Sequence, residues 1–228
     1  MPQRVLITGA GGGLGAHVTR AFLESGAIVV GSARSISAAD FAQEGFSGIP
    51  ADLTRAESVA GLAAAAIARL GAIDALVHVA GGFAYGGALH ETPESVWQQM
   101  MDLNAGAAFH IFRAVIPHMR DRRAGRIVAI GSRAAVEPQA NIGAYAASKA
   151  ALLSLVRTAA LENRDAGITV NAILPGTIDT ESNCQSDPSA DRSKWVSPDG
   201  IARLVLYLVS EAGSEITGAA IPFYGAGI

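Results

Sequence analysis

What the 228-residue chain lacks narrows its class before any motif is read. It has one cysteine, Cys184, which excludes an intrachain disulfide, and neither that thiol nor the five histidines show metal-ligand spacing. Charged residues make up only 16% of the chain, 17 Lys+Arg against 20 Asp+Glu, with no dense basic run. That balance offers no electrostatic footprint to nucleic acid or an anionic membrane. The densest basic cluster, Arg120, Arg122 and Arg123, reads as a solvated helix end. No window approaches the ~20 uninterrupted apolar residues of a membrane span, and the apolar run 5–7 is too short for a signal-peptide core. The expectation is a cytoplasmic protein without metal, nucleic-acid or membrane partner.

What the chain does have is apolar residues, 50% of the total, and 26 glycines. So much hydrophobicity with so little charge is far from the disordered regime, and the length suits one α/β domain over 1–228. β-Branched, near-continuous apolar runs at 4–8, 27–31, 75–79, 126–130, 168–174 and 219–224, with a weaker one near 47–49, read as strands. Helical patterns separate them. Thr54 with Glu57 reads as a capping box for an Ala-rich helix ended by Gly71, and Thr92-Pro93 and Ser197-Pro198 each place a cap before a first-turn proline. Alternating strands and helices imply right-handed crossovers and a parallel sheet buried on both faces. The fold class is α/β: one doubly wound domain of about seven parallel strands. Three long irregular stretches, 81–92, 133–144 and 181–197, follow strands, at the edge where such sheets bind ligands.

The first strand runs into Thr8-Gly9-Ala10-Gly11-Gly12-Gly13-Leu14-Gly15 and then a helix from about residue 16. Glycines let a pyrophosphate approach the backbone, and the unpaired amides and dipole of a helix N-terminus favour the anion. After the second strand no acidic residue stands ready for a ribose 2′-hydroxyl; Ala33 and Arg34 stand there instead. An arginine in that place can pair bidentately with a 2′-phosphate, so NADP(H) is favoured over NAD(H).

Tyr145 and Lys149 lie four apart near the start of a helix, on one face. With four tyrosines and only two lysines in 228 residues, a chance Tyr-x-x-x-Lys is expected about 0.04 times. An ammonium beside a phenol favours the phenolate, lowering the tyrosine pKa toward the range a general acid/base needs. Ser132 ends a strand thirteen residues before Tyr145, and its hydroxyl can hydrogen-bond a carbonyl oxygen.

Together, Thr-Gly-x-x-x-Gly-x-Gly at 8–15, Ser132 and the Tyr145/Lys149 pair resemble the classical short-chain dehydrogenase/reductase (SDR) family. The resemblance implies a Rossmann-type domain and a catalytic tetrad of Asn104, Ser132, Tyr145 and Lys149. In it, Asn104 bends a central helix and holds a water linking Lys149 to solvent. It implies a cofactor site of Thr8, Gly9, Gly13, Leu14, Gly15, Arg34, Asp52, Leu53, Ala80, Gly81, Tyr145, Lys149, Pro175, Gly176, Ile178 and Thr180. Asp52 would meet the adenine amino group, and the Ile178 backbone with Thr180 the nicotinamide carboxamide and phosphate. The implied reaction passes a hydride between NADP(H) and a small carbonyl or secondary alcohol, in a homotetramer or homodimer packed through helices near 92–119 and 145–163. Ala146, Ala147, Ala150 and Ala151 would permit close approach there.

Two features depart from the family. His78-Val79-Ala80-Gly81 replaces Asn-Asn-Ala-Gly, so His78 must supply a structural asparagine's hydrogen bonds. Residues 181–197 hold little apolar surface for a lipid-covering lid, which implies a compact, polar-rimmed pocket. Within them, the stretch 188–195 resembles dihydropteridine reductases, although Ala33-Arg34 does not resemble their NADH signature. The alternatives are therefore a dihydropteridine-reductase-like or NAD-dependent dehydrogenase, or a non-catalytic dinucleotide-binding protein.

Overall fold

The computed structural model describes residues 2–226. Its strands are β1 (Arg4–Thr8), β2 (Ile28–Ala33), β3 (Phe46–Pro50), β4 (Ala75–His78), β5 (Gly125–Ile130), β6 (Ile168–Pro175) and β7 (Ala220–Phe223). Its α-helices are α1 (Gly13–Glu24), α2 (Ala56–Leu70), α3 (Glu94–Met100), α4 (Ala107–Arg122), α5 (Gly143–Glu162), α6 (Glu181–Ser186) and α7 (Pro198–Val209). The strands form one parallel sheet in the order β3-β2-β1-β4-β5-β6-β7. The strand order reverses between β1 and β4, which opens a crevice beyond their carboxyl ends.

Successive strand residues point to opposite faces, and here both faces are covered. Leu6 of β1 joins Leu62, Ile111, Phe112 and Leu152 from α2, α4 and α5. Its neighbours Val5 and Ile7 join Val18 and Phe22 of α1 and Ile201 and Val205 of α7. Hence the strands carry continuous apolar runs rather than alternation. Gly15 marks where α1 crosses β1 most closely: a Cβ there would collide with the Gly9 carbonyl oxygen.

All seven expected strands are present, within a few residues of the expected bounds. Helix starts differ more. Thr54 does not cap α2; its hydroxyl donates to Asp52 Oδ1 at 2.7 Å, and the helix begins at Ala56 without a side-chain cap. Thr92 likewise donates to the Ala88 carbonyl at 3.2 Å and caps nothing in α3. In both, a nearby acceptor on the preceding turn takes the hydroxyl that the helix amides would have used. Ser197 does cap α7, accepting from the Gly200 N–H. Helix α1 starts at Gly13 rather than 16, so the glycine loop contains its first turn.

The arginine cluster is not simply solvated. Arg122 bonds Asp74 at 2.8 Å, beside Arg4–Asp74 at 2.7 Å, while Arg120 reaches Asn163 and Arg123 the Asp165 carbonyl, tying α4 to the turn before β4 and to the α5–β6 connection. Among the described residues no helix is long and apolar enough to cross a membrane.

Candidate active site

The glycine loop is shaped by two close approaches. Gly9 has φ +72°, and a Cβ there would lie 2.7 Å from the Ala80 amide nitrogen, so the loop can pass this close to the backbone after β4 only with glycine in place. Its N–H donates to the Ser32 carbonyl at 2.7 Å. No side chain caps α1 and no acid sits in its first turn, so helix-terminal amides remain available to an anion. Across the loop, a Cβ on Gly13 would lie 3.0 Å from Thr180 Cβ. Gly11, Gly12, Gly13, His17 and Arg20 thus face Asp179, Thr180 and Ser182 over a cavity of about 540 Å³. An uncapped helix start and a cradle that side chains would fill fit a dinucleotide pyrophosphate, with Arg20 in the lining; Asp179 and Glu181 also line it, and His17 is engaged by Asp199. Leu14 is buried beneath this cradle.

Toward β2 and β3, the Thr54 hydroxyl and N–H, both donated to Asp52 Oδ1, hold the Asp52 carboxyl below its ordinary value, with smaller contributions from Arg55 and then Arg34. Arg34 is exposed just past the end of β2. Leu53 offers its carbonyl to His110 Nδ1 at 3.1 Å. At the other end, Pro175 closes β6, and the Gly176 N–H bonds the Phe223 carbonyl at 3.0 Å. The Ile178 carbonyl is already taken, accepting from Asn183 Nδ2 and the Thr180 N–H at 2.8 Å each.

The four residues of the expected tetrad come together between β4, β5 and α5. Ser132 begins the turn after β5, its hydroxyl accepting from the Ala134 N–H at 3.2 Å and standing near enough to the Tyr145 phenol to lower its pKa. Lys149, 5% exposed, donates from Nζ to the Ile130 carbonyl at 3.0 Å. Asn104 lies in a π-helical turn, Met101–Gly106, that joins α3 to α4. Such wider turns are common at functional sites. Its buried side chain exchanges two 3.0 Å bonds with the Gly82 backbone and donates to Ser148 Oγ, which in turn donates to the Tyr145 carbonyl at 2.7 Å. Gly81 separates the two arms: a Cβ would stand 2.7 Å from Asn104 Oδ1 and 3.2 Å from Lys149 Nζ.

The electrostatics differ from the sequence expectation in one respect. Lys149 does not lower Tyr145; burial pushes the phenol above its usual value, and the Ser132 hydrogen bond only partly offsets that. Burial also lowers Lys149 to about 8. His78 is buried and lowered to about 3, first by burial and then by Lys149. Its Nδ1 meets Thr8 Oγ1 at 2.8 Å across the β1/β4 register, and no hydrogen-bond partner for Nε2 appears among the described residues.

Several residues around the site were not singled out in the sequence. Phe83 packs against Tyr145 and Tyr85 against Phe83, and Arg133, next to Ser132, lies 4.8 Å over the Tyr224 ring while bonding Glu137 at 2.6 Å. Two aromatics inside the glycine-flanked stretch after β4 were the available signal. That wall is apolar, while 181–197, the stretch from which a polar rim was expected, is largely exposed and polar.

Comparison with known proteins identifies the family. A family model described as short chain dehydrogenase matches residues 3–190. Dehydrogenase/reductase SDR family member 4 of Bos taurus is 33% identical, over 96% of this chain and 85% of that protein. The 2,3-dihydro-2,3-dihydroxybenzoate dehydrogenase of Escherichia coli (strain K12) is 32% identical, over 94% of this chain and 92% of its own. The solved structure of ElxO with NADP bound superposes with a TM-score of 0.91 at 26% identity, covering 100% of this chain and 98% of that one. The chain therefore belongs to the short-chain dehydrogenase/reductase family and is an oxidoreductase.

Proposed function

We propose that the chain, a single domain over 1–228, is an NADP(H)-dependent cytoplasmic enzyme that interconverts a carbonyl and a secondary alcohol, with Tyr145 as general acid/base. The observation that carries this reading is the meeting of Ser132 and Tyr145, with Lys149 buried one turn further along α5 and its Nζ on the Ile130 carbonyl. Burial keeps the phenol protonated at neutral pH, the form that gives a proton to a developing alkoxide. Ser132 polarises the carbonyl oxygen. The Lys149 ammonium holds the nicotinamide ribose, and Asn104 positions the Gly81–Gly82 backbone against it. When bound, the dihydronicotinamide supplies the hydride. The glycine cradle, Asp52, Leu53, Ala80, Gly81, Pro175, Gly176, Thr180 and the Ile178 N–H hold the cofactor, and Arg34 takes the 2′-phosphate where Ala33 offers no carboxylate.

The test is a parallel fluorescence titration with NADPH and NADH of the wild type and Arg34→Ala, followed by carbonyl reduction with Tyr145→Phe. Losing a charge-assisted pair of bonds predicts about a tenfold or larger loss of NADPH affinity in Arg34→Ala, with NADH binding unchanged. Equal or tighter NADH binding by the wild type overturns the cofactor assignment, and full activity of Tyr145→Phe overturns the mechanism.

A further inference from the structure

The segments that follow β4 and β5 face each other across Tyr145, and the first presents aromatic rings. Phe83 and Tyr85 pack edge to face, centroids 4.9 Å apart at 84°. Phe83 meets Tyr145 itself in the same way, at 5.0 Å and 79°. Yet Phe83 is 52% exposed and Tyr85 74%. Leu89 and Val136, on the same two segments, are also exposed. The segments are tied together: the Gly86 N–H donates to the Asn141 carbonyl at 2.9 Å, and a Cβ on Gly143 would stand 3.1 Å from Leu89 Cδ1. Of their charged groups, Arg133 pairs with Glu137 at 2.6 Å.

A chain of three rings that ends on the reacting phenol, with its outer members open, is a surface for a further ring. Aromatic pairs settle at centroid separations of about 4.5–7 Å, offset or edge to face. A carbonyl within about 2.6–3.2 Å of the Tyr145 hydroxyl therefore carries its substituent past Phe83. We propose that Phe83 and Tyr85 form a ring-binding platform that selects substrates with an aromatic ring bonded directly to the reacting carbonyl carbon. This rests on the reading of Tyr145 as the proton donor.

The test compares acetophenone with cyclohexyl methyl ketone, using NADPH, in the wild type, Phe83→Leu and Tyr85→Leu. Leucine keeps apolar bulk and removes the π-face. Dividing the aryl-to-cyclohexyl ratio of kcat/KM in each variant by that of the wild type cancels the ketones' intrinsic reactivities. The expected result is a fall of about two- to tenfold in Phe83→Leu, carried by KM, and a smaller one in Tyr85→Leu. An unchanged ratio overturns the platform and leaves the proposed function standing. A second arm measures acetophenone binding by saturation-transfer NMR to Tyr145→Phe, with and without NADP⁺, and to the Tyr145→Phe/Phe83→Leu double variant. Binding that disappears with the Phe83 ring supports the platform even if the wild type turns over neither ketone, an outcome that would overturn the proton-donor reading instead. Binding that survives loss of the Phe83 ring overturns the platform.

Discussion

At the residue scale the site is costly to maintain, and its two buried bases show how. Lys149 folds with a pKa of about 8 against 10.5 in the open chain, so the unfolded state binds the extra proton between those values. Its contribution therefore opposes folding below pH 8, and the opposition fades as pH rises. Lys149→Met should abolish reduction yet raise stability at pH 7 by about 1–3 kcal/mol, less than the full shift because the Ile130 carbonyl loses its donor. Thermal melts at pH 7 and 9 check this, with a gap between variant and wild type that narrows at the higher pH. His78 acts with the same sign in a lower pH window. With a folded value of about 3 against 6.5, it carries no penalty above pH 6.5 and destabilises the folded state progressively as pH falls toward 3. Denaturant unfolding should show His78→Asn losing stability less steeply than the wild type, by about 1.4 kcal/mol per pH unit between 6 and 4. His118, also lowered, titrates with the same sign in both proteins and cancels.

At the scale of elements, the strands were legible and the caps were not. A strand buried on both faces must be apolar at every position, as 5–7 and 127–130 are, so its run survives in the sequence regardless of partners. A capping hydroxyl chooses among acceptors that only the folded turn brings close, and Asp52 took Thr54 as Ala88 took Thr92. Ser197 had no such competitor and caps α7. Ser197→Ala should therefore cost about 1 kcal/mol, lowering Tm by about 2–4 °C in a calorimetric scan, whereas Thr92→Ala removes no cap and should stay within about half of that. The same distinction explains the site. Tyr145, Lys149 and Ser132 could be found by spacing because one helix and one strand end fix them, while Phe83 and Tyr85 acquire meaning only when two loops meet across the phenol.

At the scale of the whole molecule, the face formed by the π-turn, α4 and α5 is the largest question the sheet leaves open. Ala105, Gly106, Phe109, Ala151, Ser154 and Leu155 line a shallow apolar depression of about 450 Å³, and Phe109 is 48% and Leu161 66% exposed. Of the alanines expected to serve such a face, Ala146 does not: it is buried inside the subunit against Ala134 and Ile142. Ala150 is exposed and Ala151 half-buried, as a close helix approach requires. A second copy related by a two-fold axis would bury Phe109 against its own counterpart's surroundings, since such an interface pairs the same patch on both subunits. The depression lies on helices that also carry Asn104 and Tyr145, so pairing would brace the site from behind. On this proposal the wild type sediments as a dimer or tetramer at micromolar concentration. Phe109→Glu, which sets two carboxylates near one apolar axis, should shift it to monomer with the fold retained by circular dichroism. A wild type that sediments as a monomer would show instead that this face stands open to solvent.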